Sequence, residues 1–541
     1  MSVSDGSDGS NGSDVSERGC SVLAHPALQR SEIITLNFVD HSLREGIAHV
    51  PEPHEETLPM TAEETPRMAT RPSPTTVPRA AKPDTAAGVP AAQLTLFRSV
   101  AIIIGVIVGS GIFESPPRVA NAVTAWWGLA PWVWVMIAWA LGGLFSFIGA
   151  LVYAELATNY PQEGGDYVYL NRAFGDWAGF LFGWARLSVI QAASIGAIAY
   201  VVGDYATRLH PLYTVTIKGQ LAAGPYSASI YAAAATVVLT IINILGVREG
   251  TLTQNLLTIF KVLGLAAVVV VAFLAPSTAA APAPAAASAG GSMMFGLALV
   301  FILWTYGGWN EIAYVSAEVK DPRRNILRSL LYGLAAVVVI YMVVNAAFLY
   351  SLGYEGLKNS TAVAADVMAV PFGETGARLI AALVVISALG ALNGFIFTSP
   401  RVYYAMGKEH RVLAPLGYWS PRFGTPVVAL LVQAVIILIL IGVFGTREGF
   451  DAMVKLTAAV VWGFFALTGL SLFVLRTWDR QHPGSYRVMG HPLVPLLFVL
   501  LSLYMLHSGL NYAPFETAVA LAIFFVGLPI YWISKRQAVA P

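Results

Sequence analysis

The sequence predicts an all-α integral membrane protein with twelve transmembrane helices. The first observation is composition. The chain is 56% hydrophobic and only 12% charged, with a mean hydropathy of +0.65, too apolar for a water-soluble protein of 541 residues. The second is length. A helix of roughly 20 residues crosses the hydrocarbon core of a bilayer, and the apolar runs match it. The third is repetition, for twelve such runs follow one another: 97–120, 131–157, 177–207, 227–246, 252–275, 293–318, 329–352, 376–406, 425–445, 451–476, 492–510 and 514–534.

Residues 1–95 differ from the rest. Segments such as SDGSDGSNGSD and TPRMATRPSPTTVPRAAKPDTAAGVPAA are rich in Ser, Gly, Pro, Ala and charge, and cannot bury enough apolar surface to fold alone. They are read as a disordered N-terminal tail ahead of a twelve-helix domain at 96–535, with 536–541 as a short C-terminal tail. No apolar core follows the initiating methionine, so the tail does not read as a signal peptide. The single cysteine, Cys20, lies in it. One cysteine allows no internal disulfide and no thiolate cluster, and the histidines show no paired metal spacing, so neither a metal nor another cofactor is expected. With the tail on the cytoplasmic side, the inner connections carry fourteen Lys and Arg against three in the outer loops, or seven when helix-end residues are included. That asymmetry puts both termini inside, in the cell (inner or plasma) membrane. The net charge is +1, and no basic stripe suggests nucleic acid. The partners expected are membrane lipid and a small molecule.

Two of the twelve runs contain what a membrane helix should avoid. The first reads FRSVAIIIGVIVGSGIFESPP and the sixth MMFGLALVFILWTYGGWNEIAYVSAEV, with Gly109, Ser110 and Gly111 in one and Gly307 and Gly308 in the other. Glycine costs about 1 kcal/mol in a helix interior. Freed backbone groups cost more in lipid, so such breaks survive where they face a cavity or ligand. A single Gly105-to-Gly109 GxxxG spacing is equally well explained by helix packing. The pair is more telling. The interrupted helices lie five spans apart, and five is odd, so a second five-span copy threads the membrane upside down. We read 97–275 and 293–476 as a five-plus-five inverted repeat with broken helices 1 and 6, followed by helices 11 and 12 at 492–534. In such arrangements half-helix N-termini offer N–H groups to an anion while exposed carbonyls receive a cation. An α-amino acid carries one of each.

The chain resembles an amino acid permease of the amino acid-polyamine-organocation superfamily, and within it the L-type amino acid transporter branch in its stand-alone bacterial form. The resemblance rests on GVIVGSGIFESP, GALVYAELATNYPQEGGDYVYLNRAFG, LTQNLLTIFKVLGL, TYGGWNEIAYVSAEVKDPRRN and GALNGFIFTSPRVYYAMGKEH, five matches in order over about 97–535. It implies the leucine-transporter-like fold and secondary-active transport by alternating access, as sodium-independent exchange of neutral amino acids. By matching motif it implies that the amides of Ser110 and Gly111, beside Gly109, hold the substrate carboxylate. The carbonyls of Ile107, Trp304, Thr305 and Gly307 would receive the ammonium, and Trp304 would act as the gate. Tyr306 and Trp309 bracket the second break. Gly307 stands where relatives that take cationic substrates can carry an acid, so glycine there implies neutral substrates. Asn393 matches a pocket-lining position, with a packing role equally open.

Lys261 lies about 15 Å into span 5 by the ~1.5 Å rise of a helix, near the middle of a roughly 30 Å core. An intramembrane lysine is a functional candidate by default. The resemblance makes it a substitute for the sodium of coupled relatives, bonding carbonyls near Gly109 and the region of Ser387 or Asn393. A proton-carrying lysine is the alternative, which would make the protein a proton symporter. Glu114 and Glu311 depart from the branch pattern, just after each break, and are candidate proton or charge sites. Glu114 can pair with Arg118 one turn on. Glu311 has no local partner, and Arg186 in span 3 is available to either acid. EGGDYVYL, from Glu163, lacks the strand-turn-helix context of a phosphate cradle and is read as a brace for the inner gate; VKDPRRN reads as a solvated loop or a latch. The loop at 208–226 has no cysteine of the kind that ties animal members of the branch to a glycoprotein, so no disulfide-linked heavy chain is expected. No H-E-x-x-H, suitably placed G-x-S-x-G or cluster of His and acids supports an enzyme, and no repeated polar filter supports a channel. A non-transporting amino acid sensor remains an alternative that sequence does not separate from a carrier.

Overall fold

Helices that are apolar all round have no water-facing side, so their outward faces meet lipid. The computed structural model describes residues 94–538 apart from 126, 163, 218–219, 247–250, 276, 278–293, 446–447 and 479–485. The expected disordered tail and Cys20 lie outside the described residues. Helices α1 (Leu96–Ile107) and α2 (Gly111–Ala122) form one span bent by 51°. Next come α3 (Pro131–Asn159) and the short α4 (Asp166–Phe174). Helix α5 (Asp176–Ala185) runs through a π turn at Arg186–Ile190 into α6 (Gln191–Leu209). A hairpin of β1 (Thr214–Ile217) and β2 (Gln220–Ala223) precedes α7 (Ser227–Ile244) and α8 (Thr251–Leu274). Helix α9 (Phe295–Thr305) gives way to a 3₁₀ helix at Trp309–Glu318, and α10 (Pro322–Asn359) and α11 (Val363–Glu409) follow. After them come α12 (Val427–Val443), α13 (Gly449–Trp478), α14 (Leu493–Tyr512), α15 (Pro514–Phe525) and α16 (Gly527–Ala538).

Eight of these helical segments are long and apolar enough to cross a membrane, the bent α1–α2 pair makes a ninth, and three shorter apolar helices lie in α8, α9 and α12. They fall on the twelve runs expected from the sequence. Helix α12 shows why. Leu431, Val435, Ile439 and Val443 recur every four residues and are exposed, while Leu430, Ile437 and Ile441 on the other side are buried. An apolar stripe open to the outside belongs against lipid.

Breaks and prolines free backbone groups that side chains then satisfy. Pro117 inside α2 has no N–H for the carbonyl of Phe113, and the Tyr205 hydroxyl of α6 donates to that carbonyl at 3.2 Å. Tyr205→Phe should therefore lower stability by about 1–3 kcal/mol, the range for orphaning a buried polar group. Adding Pro117→Ala, which returns an N–H to the turn, should restore part of it in a thermal-unfolding assay. A fully additive double variant would overturn this account.

The two connections read as a brace and as a solvated loop or latch carry defined contacts. From Asp166 on, the EGGDYVYL segment opens α4, whose buried Asp166 accepts hydrogen bonds from Tyr153 of α3 and, at 2.8 Å, Thr468 of α13. Val319, in the VKDPRRN stretch, pairs in parallel with Leu94, and Lys320 N donates to Leu94 O at 2.9 Å. The start of the first broken span is thereby tied to the end of the second. Glu155 at the end of α3 is buried and accepts from Arg476 of α13 and from Val488 N at 2.6 Å.

Candidate functional site

The two helix breaks lie against each other. Helix α1 stops at Ile107, the chain turns tightly with Gly109 N donating to Ile107 O at 2.6 Å, and α2 restarts at Gly111 after the buried Ser110. As first-turn positions of a helix, these amides have no partner within it. Helix α9 ends at Thr305. Tyr306 N donates to Ile302 O at 2.8 Å and Gly307 N to Trp304 O at 3.0 Å. Gly308 follows with φ 104°, a left-handed conformation. Each break has one glycine with little room for a side chain. A Cβ at Gly111 would lie 3.0 Å from Trp304 and 3.1 Å from Thr305, and one at Gly308 would lie 2.7 Å from Val106.

Polar contacts join the breaks. Thr305 Oγ1 stands 2.6 Å from Ser115 Oγ and donates to Phe301 O at 2.8 Å. The buried Tyr341 hydroxyl of α10 lies 2.7 Å from Ile107 O and 3.2 Å from Thr305 O. Two of the four carbonyls assigned to an ammonium thus share one tyrosine hydroxyl. Tyr341 packs at a tilt against Tyr306 and edge-to-face against Trp139, with ring centroids 5.0 and 5.6 Å away, and Tyr306 donates to Trp139 O at 3.3 Å. Trp309 is buried among Tyr153, Phe465 and Phe498. It is a packing residue that anchors the 3₁₀ segment.

The half-buried Trp304 packs edge-on against Phe450 of α13 at 5.2 Å. The Arg118 guanidinium lies over the same ring at 5.0 Å, bonds Glu114 Oε2 at 2.5 Å and reaches Asp451 Oδ1 at 2.8 Å. The local Glu114–Arg118 pair expected from the i,i+4 spacing is therefore present, and Asp451 extends it. Glu311 also has a partner, through tertiary structure: Arg186 Nη2 lies 3.6 Å away. Arg186 sits in the π turn, an irregularity often found at functional sites.

The contacts expected of Lys261 are absent among the described residues. Lys261 is buried in α8 at 6% exposure, yet among the described residues its ammonium makes no hydrogen bond to Gly109, Ser387 or Asn393. Asn393 on α11 presents its amide oxygen to Asn243 of α7, at 2.7 Å. That bond spans a helix interface. Sequence reasoning passed over Tyr341, Phe450, Asp451 and Asn243. The available signal was polarity in apolar runs: Tyr341 and Asn345 interrupt AAVVVIYMVVN.

Comparison with known proteins agrees with this architecture. The amino acid permease family profile matches residues 94–532. The chain belongs to the amino acid permease family. It is similar to the serine/threonine exchanger SteT of Bacillus subtilis, 28% identical over 453 residues, which cover 82% of this chain and 98% of that one. It is also similar to the human b(0,+)-type amino acid transporter 1, 29% identical over 449 residues and covering 82% and 87% of the two chains. The human large neutral amino acids transporter small subunit 2 is 29% identical over 456 residues, 82% of this chain and 80% of that protein. The permease is an integral membrane amino acid transporter with the twelve-helix, leucine-transporter-like fold of its superfamily.

Proposed function

We propose that this permease is a sodium-independent exchanger of neutral L-amino acids, working by alternating access in the plasma membrane with both termini cytoplasmic. The observation that carries the reading is the meeting of the two breaks. The first-turn amides of α2 at Ser110 and Gly111 offer positive polarity to a carboxylate. The carbonyl end of α9 at Trp304, Thr305 and Gly307, with Ile107, offers negative polarity to an ammonium. Trp304 is the gate, its ring backed by Phe450. Both acids beside the breaks are engaged by arginines, Glu114 by Arg118 and Glu311 by Arg186, so neither calls for a cationic substrate. Lys261 supplies the fixed positive charge that replaces a sodium ion. The names of the relatives, a serine/threonine exchanger and a large neutral amino acids transporter, agree with exchange and with neutral substrates.

The test is uptake of labelled L-serine and L-leucine into proteoliposomes at fixed pH without sodium, with and without unlabelled amino acid inside. Strong stimulation by internal substrate is expected. Uptake that follows an imposed proton gradient instead would make the protein a symporter, and absence of flux under every condition would favour a sensor. Tyr341→Phe probes the seam between the breaks. A lost hydrogen bond is worth about 0.5–1.5 kcal/mol, and the carbonyls of Ile107 and Thr305 lose their shared donor. Exchange should fall about tenfold in kcat/KM with the carrier still folded. Wild-type kinetics would remove Tyr341 from the mechanism.

A further inference from the structure

Helix α11 carries one outward stripe that changes character towards its end. Leu379, Ile386 and Phe397 lie on it and are 69%, 55% and 44% exposed, an apolar face that belongs against lipid. At helical spacing the same stripe goes on to Arg401, Tyr404 and Lys408, and both cations are exposed. Each rests on the ring one turn before it. The Arg401 guanidinium lies 3.7 Å from the Phe397 centroid, and the Lys408 ammonium 4.8 Å from that of Tyr404. Tyr404 also packs edge-on against Trp419 at 5.2 Å. In the turn that follows, the exposed Arg422 stacks on Phe423 at 5.2 Å.

Arg401 is held where a lipid-facing cation is costly. Its guanidinium folds back along the helix, with Nη1 donating to Phe397 O, while α11 runs on to Glu409, about 12 Å further at the rise of a helix. A long cationic side chain near a membrane surface normally reaches out to water; this one turns inward. Among the described residues, Arg401, Lys408 and Arg422 form no ion pair. Glu409, beside Lys408 in the chain, is taken by the Tyr167 hydroxyl of α4 at 2.5 Å. Nε and Nη2 of Arg401 make no hydrogen bond among the described residues, and together they are the fork that a guanidinium offers to phosphate. The missing anion must therefore lie at the edge of the hydrocarbon, beside an apolar stripe. A free phosphate has no reason to leave water for the level of Phe397, whereas the headgroup of a lipid is tethered there.

We propose that the end of α11 is a binding site for an anionic phospholipid, with its phosphate on Arg401, its headgroup reaching Lys408 and Arg422, and an acyl chain along Phe397 and Ile386. The aromatic rings fix the cations in place, so the site differs from a diffuse basic surface. It discriminates by the fork at Arg401 as well as by charge.

The test is binding of labelled phosphatidylglycerol to the purified full-length protein in micelles of detergent and phosphatidylcholine. Arg401→Gln should weaken binding about tenfold, and Lys408→Gln about fivefold. Arg401→Lys keeps the charge and loses the fork, and should fall between wild type and Arg401→Gln. Arg487→Gln removes an exposed basic residue from another connection and should bind as wild type. Lys408 stands at the helix end, so Lys408→Gln keeps the test decisive if Arg401→Gln unfolds early. Wild-type binding no tighter than that of phosphatidylcholine, or an equal loss in Arg487→Gln, would overturn the proposal. Competition by glycerophosphoglycerol, the same headgroup without chains, as strong as by the lipid would make the ligand a free phosphate ester and overturn it too. So would binding that appears only when residues 1–90 are removed, which would make the N-terminal tail the occupant. Binding is read without transport, so the result stands whether or not exchange is found.

Discussion

Exchange in sodium-free medium is expected to fall at least a hundredfold in Lys261→Ala while the carrier stays folded and inserted. The lysine sits in a span with its side chain 6% exposed, and no carboxylate pairs with it among the described residues. Removing it costs the fold little, because an apolar replacement relieves the expense of holding an ammonium away from water. Its loss is felt where function needs a fixed positive charge between α8 and the helices around it. Lys261→Met keeps most of the side-chain volume and should lose exchange equally, which separates charge from packing. Exchange retained in Lys261→Met would return the residue to a packing role. Exchange restored to either variant by sodium would show that the ion occupies the place that the ammonium holds.

Gly308→Ala is expected to lose most transport for a different reason, steric and conformational. At φ 104° the backbone at 308 is left-handed, a region that costs an L-residue about 1–2 kcal/mol. The new Cβ would also stand 2.7 Å from the Val106 side chain, and overpacking of this kind costs typically 1–3 kcal/mol. The strain falls where α9 turns against the end of α1, so the breaks would be pushed apart. Adding Val106→Ala should recover the contact part and leave the backbone part, giving partial return of exchange and thermal stability. Full activity in Gly308→Ala would sink the claim that close approach of the breaks is required.

The sequence carried the spans and the breaks for reasons that are local. A run of about twenty apolar residues has one outcome in a bilayer, and GSG and YGG interrupt such runs in a way that neighbouring residues cannot repair. Arg118 was legible as a partner for Glu114 because four residues on a helix return to the same face. Nothing local could show that Asp451, more than three hundred residues later, completes that pair, or that Arg186 reaches Glu311. Asn393 was legible only as a pocket-lining or a packing residue, and its amide oxygen accepts from Asn243 across a helix interface.

By itself, then, the sequence determined that the chain is a membrane protein of twelve helices, that spans 1 and 6 are interrupted, and that Lys261 lies deep within a span, because each follows from hydrophobicity, length and backbone preference along the chain. Tertiary structure alone decided that the interruptions meet, that the Tyr341 hydroxyl ties Ile107 O to Thr305 O, and that Phe450 links Trp304 to Arg118. Those contacts join residues far apart in the chain. Their geometry is set by how the helices cross, and helices apolar on every face carry no pattern that fixes which side turns inward.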